Sequence, residues 1–188
     1  QELIASDFDY FAGGALLKPT GADKDKTSLY DLAEEAGYTV VKTQAEAGAV
    51  TAETGKCILI DEHLADGDAM AYELDRADDE WSLADYVEKG IECLDNDTGF
   101  FMMVEGGMID YASHGNDAAT AFGEVIAMDE ALRVAYAFYQ AHPDETLIVV
   151  TADHETGGLA LGNSDYTLNL QLLQHQRCSA WILSDKVS

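Results

Sequence analysis

Apolar positions along this chain recur in two rhythms, a helical spacing of three to four residues and short unbroken runs. Leu29, Leu32 and Ala33 share one face of a helix that Ser28 caps, with Asp31 three residues on, and that Gly37 ends. Tyr38-Thr39-Val40-Val41 is a β-type run, and Cys57-Ile58-Leu59-Ile60 is another after a polar helical segment. Leu83, Val87, Ile91 and Leu94 line a further helix, with Ser82 as its cap, Asp85 at the capping-box position and Asn96–Gly99 as its end. Phe100–Val104 and Thr146–Thr151 are apolar runs between turn signals, the pattern of strands buried on both faces. A helix over residues 117–140 separates them, with Phe122, Val125, Ile126, Leu132, Tyr136 and Tyr139 expected on its inner side. Strand, long helix, strand is a βαβ crossover and therefore a parallel pair. Residues 158–188 read as a short strand, a loop at Gly162–Asp165 and a helical segment near Leu168–Gln176. The fold class that follows is α/β, a mostly parallel sheet flanked by helices on both faces.

Charge changes this picture more than composition does. Hydrophobic residues make up 47% and charged residues 24% of 188, the profile of a globular domain without a run long enough for a membrane span. Yet 36 Asp and Glu face only 10 Lys and Arg, a net charge of −26. Such a surface repels nucleic acid and anionic membranes, so neither is an expected partner. An anionic substrate is repelled too, unless a bound metal supplies local positive charge. Residues 61–80 are the most acidic stretch and read as a solvated loop or small insertion without the ligand pattern of a calcium loop. Cys57, Cys93 and Cys178 form no CxxC motif; they read as small buried side chains, with room for one disulfide in an oxidising compartment. The chain starts at Gln1 without a signal-peptide core, as a processed or excised piece would.

Candidate chemistry sits at the carboxyl ends of the two apolar runs, the edge where open parallel sheets bind ligands. Glu105 directly follows the first run, and Gly106-Gly107 permit a sharp turn. Asp110 and His114 are four residues apart, so one helical turn places them on the same side. A carboxylate with an imidazole suits zinc, whereas a lone carboxylate such as Glu105 suits magnesium. Asp153 and His154 follow the second run; as neighbours they converge only where the backbone turns, and Gly157-Gly158 lie just beyond.

Together these residues resemble a family. Glu105-Gly106-Gly107, Ile109-Asp110 and His114, then a helix containing Met128-Asp129, then Val149-Val150-Thr151-Ala152-Asp153-His154, look like alkaline phosphatase. Tyr30–Thr43 and Leu83–Phe101 resemble that family's segments in the same order, so the resemblance covers most of residues 28–162. It implies a phosphomonoesterase with two zinc ions and one magnesium ion around a serine nucleophile. Asp110 and His114 would hold the zinc at the leaving oxygen, Asp153 and His154 the second zinc, and Glu105 the magnesium. Tyr111 takes a position that often carries a substrate-tuning side chain. The resemblance further implies a phosphate monoester as substrate and periplasmic or secreted placement, and homodimers are common in the family.

The departures define a second expectation. The family's serine, bridging aspartate, phosphate-binding arginine and a further magnesium ligand lie upstream of the matched region, and a third zinc histidine lies downstream; none is visible here. Ser179 falls after the second cluster, in the wrong chain order for the nucleophile. His175 comes too soon after His154, His63 and His142 sit in polar turns, and Arg76, Arg133 and Arg177 lack a phosphate-cradle context. The chain therefore reads as a partial catalytic domain with weakly held metals and no useful activity alone. Competing readings are a phosphodiesterase, sulfatase or mutase of the same superfamily, and a non-catalytic acidic metal-binding module.

Overall fold

The computed structural model describes residues 2–65, 67–155 and 169–187. They form two compact units, one of residues 1–71 and 79–104 and the other of residues 72–78 and 105–188.

The first unit begins with helix α1 (Glu2–Ser6) and strand β1 (Tyr10–Gly13). Helix α2 (Leu29–Glu35), strand β2 (Thr39–Val41), helix α3 (Gln44–Ala49) and strand β3 (Cys57–Ile60) follow, and helix α4 (Leu83–Leu94) completes it. The sheet is parallel in the order β1-β3-β2, with Cys57 level with both Tyr10 and Thr39. The central strand β3 is buried at every position, and its side chains divide between two cores. Cys57 and Leu59 pack with Val41, Ala47, Val50 and Tyr86 on the α4 side. Ile58 and Ile60 pack with Ala33 and Tyr38 on the α2 side, where Leu3, Ile4, Phe11 and Tyr30 extend the cluster. An unbroken apolar run is what a strand covered by helices on both faces requires.

Caps and close approaches place these helices. The Ser82 hydroxyl oxygen accepts from the Asp85 N–H while the Asp85 carboxylate accepts from the Ser82 N–H at 2.7 Å, a full capping box. Ser28 caps α2 by accepting from the Tyr30 N–H at 3.2 Å, without help from Asp31, and Gly37 beyond the helix takes φ +93°. Gly90 lets α4 lie against β1: a Cβ there would stand 2.9 Å from Met102 Sδ and 3.0 Å from Tyr10 Cε1. The Tyr10 hydroxyl also donates to the Tyr86 carbonyl at 2.8 Å, crossing from strand to helix.

The acidic stretch departs from a uniformly solvated loop. Asp61, at the end of β3, is buried; its carboxylate accepts from the Tyr86 hydroxyl at 2.9 Å and from the His63 N–H at 2.7 Å. Residues 72–78 belong to the second unit. Cys57, Cys93 and Cys178 are all free thiols; Cys57 is buried as expected, whereas Cys93 and Cys178 are only partly covered. Burial pushes the Cys57 thiol up to about 12.

The second unit contains helix α5 (Gly107–His114), helix α6 (Ala118–Ala141), a 3-10 turn over Leu170–His175 and helix α7 (Ala180–Val187). Helices α5 and α6 pack on each other. The long helix appears where expected, but with a different face inward. Thr120, Ala121, Glu124 and Ala131 are its buried residues, while Phe122, Val125, Ile126 and Tyr136 are exposed. Apolar residues run nearly all the way round α6, so its spacing singles out no stripe.

The two apolar runs expected as buried strands form no strand or ladder among the described residues. Phe101 and Met103 of the first are exposed, as are Leu147, Val149 and Val150 of the second. The helical segment near Leu168–Gln176 appears as the 3-10 turn. The short strand expected from residue 158, the loop at Gly162–Asp165 and Gly157-Gly158 lie outside the described residues.

Candidate metal centre

All five candidate ligands belong to the second unit. Glu105 precedes α5 and is exposed; its carboxylate folds back over Gly107, where a Cβ would stand 3.4 Å from Glu105 Oε1. Gly106 stands at the helix cap, and the four-residue spacing from the first turn to the last brings Asp110 and His114 to one side. His114 Nε2 stands 3.6 Å from Asp110 Oδ1. His154, after the second apolar run, brings its Nε2 to 3.6 Å from the same Asp110 oxygen, and Asp153 Oδ2 is 3.6 Å from His154 Nε2.

Asp110 is thus the hub. One carboxylate oxygen faces two imidazole nitrogens, and a second carboxylate lies behind one of them. At 3.6 Å these are not hydrogen bonds; they are charge contacts when the imidazoles are protonated and lone pairs turned towards a shared space when they are not. Asp110 is 41% exposed, His154 54% and His114 69% in their side chains, so the cluster opens to solvent. Among the described residues no hydrogen bond or ion pair joins Glu105 to the other four. Among the described residues no three His, Cys, Asp or Glu heads stand in the arrangement one ion needs. The donor chemistry suits a divalent cation, two carboxylates with two imidazoles, but each ion would draw a pair of ligands from this chain. Tyr111 is exposed beside the cluster.

Several of the other basic and hydroxyl groups have structural partners. Arg76 holds Glu73 with contacts of 2.5 and 2.9 Å, Arg133 bonds Asp129 at 2.9 Å, and His63 faces Glu80 at 3.5 Å. The His142 ring lies 4.6 Å from that of Phe138. Ser179 is buried, and its hydroxyl oxygen accepts from the Ile182 N–H at 3.1 Å at the start of α7.

A second polar cluster escaped sequence reasoning. The Asp117 carboxylate caps α6 through Thr120 and also accepts from the Ala180 N–H at 2.6 Å and from Gln176 Nε2 at 2.7 Å. Burial pushes this carboxyl up, but those hydrogen bonds outweigh it and hold Asp117 below its ordinary range. The signal was present as Asp117 three residues before Thr120, a helix-start pattern, but nothing local pointed to Gln176 or Ala180.

Three comparisons bear on this geometry. A family model described as alkaline phosphatase matches residues 9–184. The repressible alkaline phosphatase of Saccharomyces cerevisiae is 36% identical over 74% of this chain, which spans 26% of that protein. Alkaline phosphatase 4 of Bacillus subtilis is 36% identical over 82% of the chain and 32% of its own length. Among solved structures, a cold-active alkaline phosphatase from a psychrophilic Shewanella superposes with a TM-score of 0.81 at 30% identity, over 98% of this chain and 44% of that one. A mutant of the TAB5 alkaline phosphatase, described with Mg bound in its M3 site, matches with a TM-score of 0.60 at 29% identity, over 75% of this chain and 39% of that one.

Proposed function

The chain belongs to the alkaline phosphatase family, and from that premise we propose that its second unit carries metal-ligating residues of a phosphomonoesterase centre. The observation that carries the proposal is the convergence of His114 and His154 on Asp110 Oδ1, each at 3.6 Å, from two separate family signatures. Asp110 and His114 would hold one zinc, Asp153 and His154 a second, and Glu105 a magnesium. When bound, these ions supply positive charge at the oxygens of an in-line phosphoryl transfer and lower the pKa of bound water or hydroxyl.

The chain's own residues do the positioning. Asp110 draws an imidazole from α5 and one from the 152–155 turn towards one space, so the two signatures share an anchor. The exposure of the cluster admits a phosphate monoester from solvent. Tyr111, one residue after Asp110 and 62% exposed, stands at the rim where it can contact the substrate's organic group. A net charge of −26 would otherwise repel a phosphate dianion, so the divalent ions also make substrate approach electrostatically feasible.

The nucleophile in this proposal is a serine outside residues 1–188, as are the bridging aspartate and third zinc histidine. The chain spans about a quarter to a third of the curated relatives it matches, which leaves room for all of them in a longer protein. Periplasmic or secreted placement and homodimer formation are part of the same proposal. Among the described residues no helix is long and apolar enough to cross a membrane.

Aryl phosphate hydrolysis in zinc and magnesium tests the division of labour. The chain by itself turns over no faster than its His114→Ala variant. Turnover well above that variant would mean that residues 1–188 contain the nucleophile, and the proposal as stated would be wrong.

A further inference from the structure

Residues 72–78 cross the second unit as a strap between α6 and the start of α7. The Glu73 N–H donates to Glu124 Oε1 at 2.6 Å, and Asp75 Oδ1 accepts from the Ser179 N–H at 2.8 Å. Both anchors are buried: Glu124 is 7% exposed and Ser179 1%. Among the described residues, the other Asp75 oxygen, Oδ2, is buried with no hydrogen-bond partner. A buried carboxylate oxygen that meets no protein donor carries a desolvation cost. Glu124 Oε1 accepts from the Glu73 N–H, two residues before Asp75, so the strap brings the Asp75 carboxylate into the electrostatic field of a buried glutamate.

The charges that act most strongly on Glu124 all lie on the strap: Glu73 and Asp75 oppose its ionisation and Arg76 favours it. Arg76 is committed to Glu73 through two contacts. The elements packed on α6 or its cap bring Asp110, Tyr111 and His114 from α5, His175 from the 3-10 turn, and Asp185 and Lys186 from α7. Burial, first, and the neighbouring carboxylates push Glu124 up to about 7.

We propose that Glu124 and Asp75 form a proton-operated clasp, in which the Glu124 carboxyl proton satisfies the orphaned Asp75 oxygen and holds the strap to α6 and α7. No bond is made or broken except that to the proton, which solvent supplies and removes. The direction follows from linkage. The folded carboxyl titrates above its unfolded value, so the clasp is fully closed below about pH 4.5, weakens as pH rises towards 7 and stays at its weakest above that.

Amide hydrogen exchange on the chain, corrected for intrinsic rates, reads the clasp at the Glu73 and Ser179 N–H groups. Protection there falls on the order of a hundredfold between about pH 5 and 7.5 and then levels. Glu124→Gln keeps both the acceptor for Glu73 and a donor for Asp75, so its profile is flat at these two amides. Asp75→Asn replaces the orphaned oxygen with a donor and shrinks the same dependence. Carbon-13 titration of the Glu124 carboxyl gives an independent reading, near 7 in the parent chain and lower in Asp75→Asn. A Glu124 carboxyl that titrates as an ordinary glutamate, or a pH profile that survives Glu124→Gln unchanged, overturns the clasp.

Discussion

Two glycines show how one atom can act with opposite sign. At Gly90 an added methyl meets Met102 Sδ at 2.9 Å and Tyr10 Cε1 at 3.0 Å, and the Tyr10 ring is fixed by its hydrogen bond to Tyr86. At Gly123, within α6, an added Cβ meets nothing within 4 Å among the described residues. Alanine gains up to about 1 kcal/mol of helix propensity at either site, but overpacking costs about 1–3 kcal/mol. Urea unfolding should therefore show Gly90→Ala destabilised by roughly 1–2 kcal/mol and Gly123→Ala stabilised by up to about 1. Equal shifts at the two positions would remove the close packing of α4 on β1 as the reason for Gly90. The candidate ligands illustrate what single residues disclose in sequence. Asp110 and His114 were legible because a helical turn fixes their separation. The convergence of His154 on the same oxygen was not, because it depends on where a distant turn returns.

Helices and strands were legible where their own residues close the argument. Ser82 and Asp85 announce the start of α4, and Cys57–Ile60 announce a strand, because a cap and a short apolar run are local patterns. Ser82→Ala should cost about 1 kcal/mol, read as a lower urea midpoint with unchanged slope; a midpoint within error of the parent would mean the capping box adds nothing. Legibility failed where neighbours decide. Phe100–Val104 and Thr146–Thr151 read as strands buried on both faces, yet Phe101, Met103, Leu147 and Val149 are exposed and unpaired among the described residues. An apolar run states that a segment gains from burial, not which chain covers it. The Shewanella structure that this chain matches is more than twice as long, since the match takes 44% of it. On α6 the error was of a different kind. A buried Glu124 beside Thr120 and Ala121 outlines the inner face, and a glutamate read from sequence alone is assigned to solvent.

At the scale of the whole chain, a charge of −26 makes self-repulsion a standing cost of compactness. Screening relieves it, so the melting temperature should rise as monovalent salt goes from about 0.05 to 0.5 M; a flat or falling melting curve would show that the acidic surface is neutral to stability. Acid acts on Asp117 with the opposite sign from Glu124. Its folded carboxyl is held below the ordinary 3.8, so its contribution is present above that value and is lost as pH falls through the lower folded one. Asp117→Asn should remove that acid-sensitive part of the stability profile, which lies below about pH 3.8, and a variant that keeps the parent's profile would assign it to other carboxylates.

The central claim is that the two signatures form adjacent zinc sites that meet at Asp110, and the chain's five histidines report on them separately. Nitrogen-15 imidazole spectra recorded during zinc titration should move the resonances of His114 and His154 together and leave His63, His142 and His175 in place. Substituting Asp110→Ala should weaken the response of both. Zinc that shifts all five alike, or that spares His114 and His154, would contradict the account.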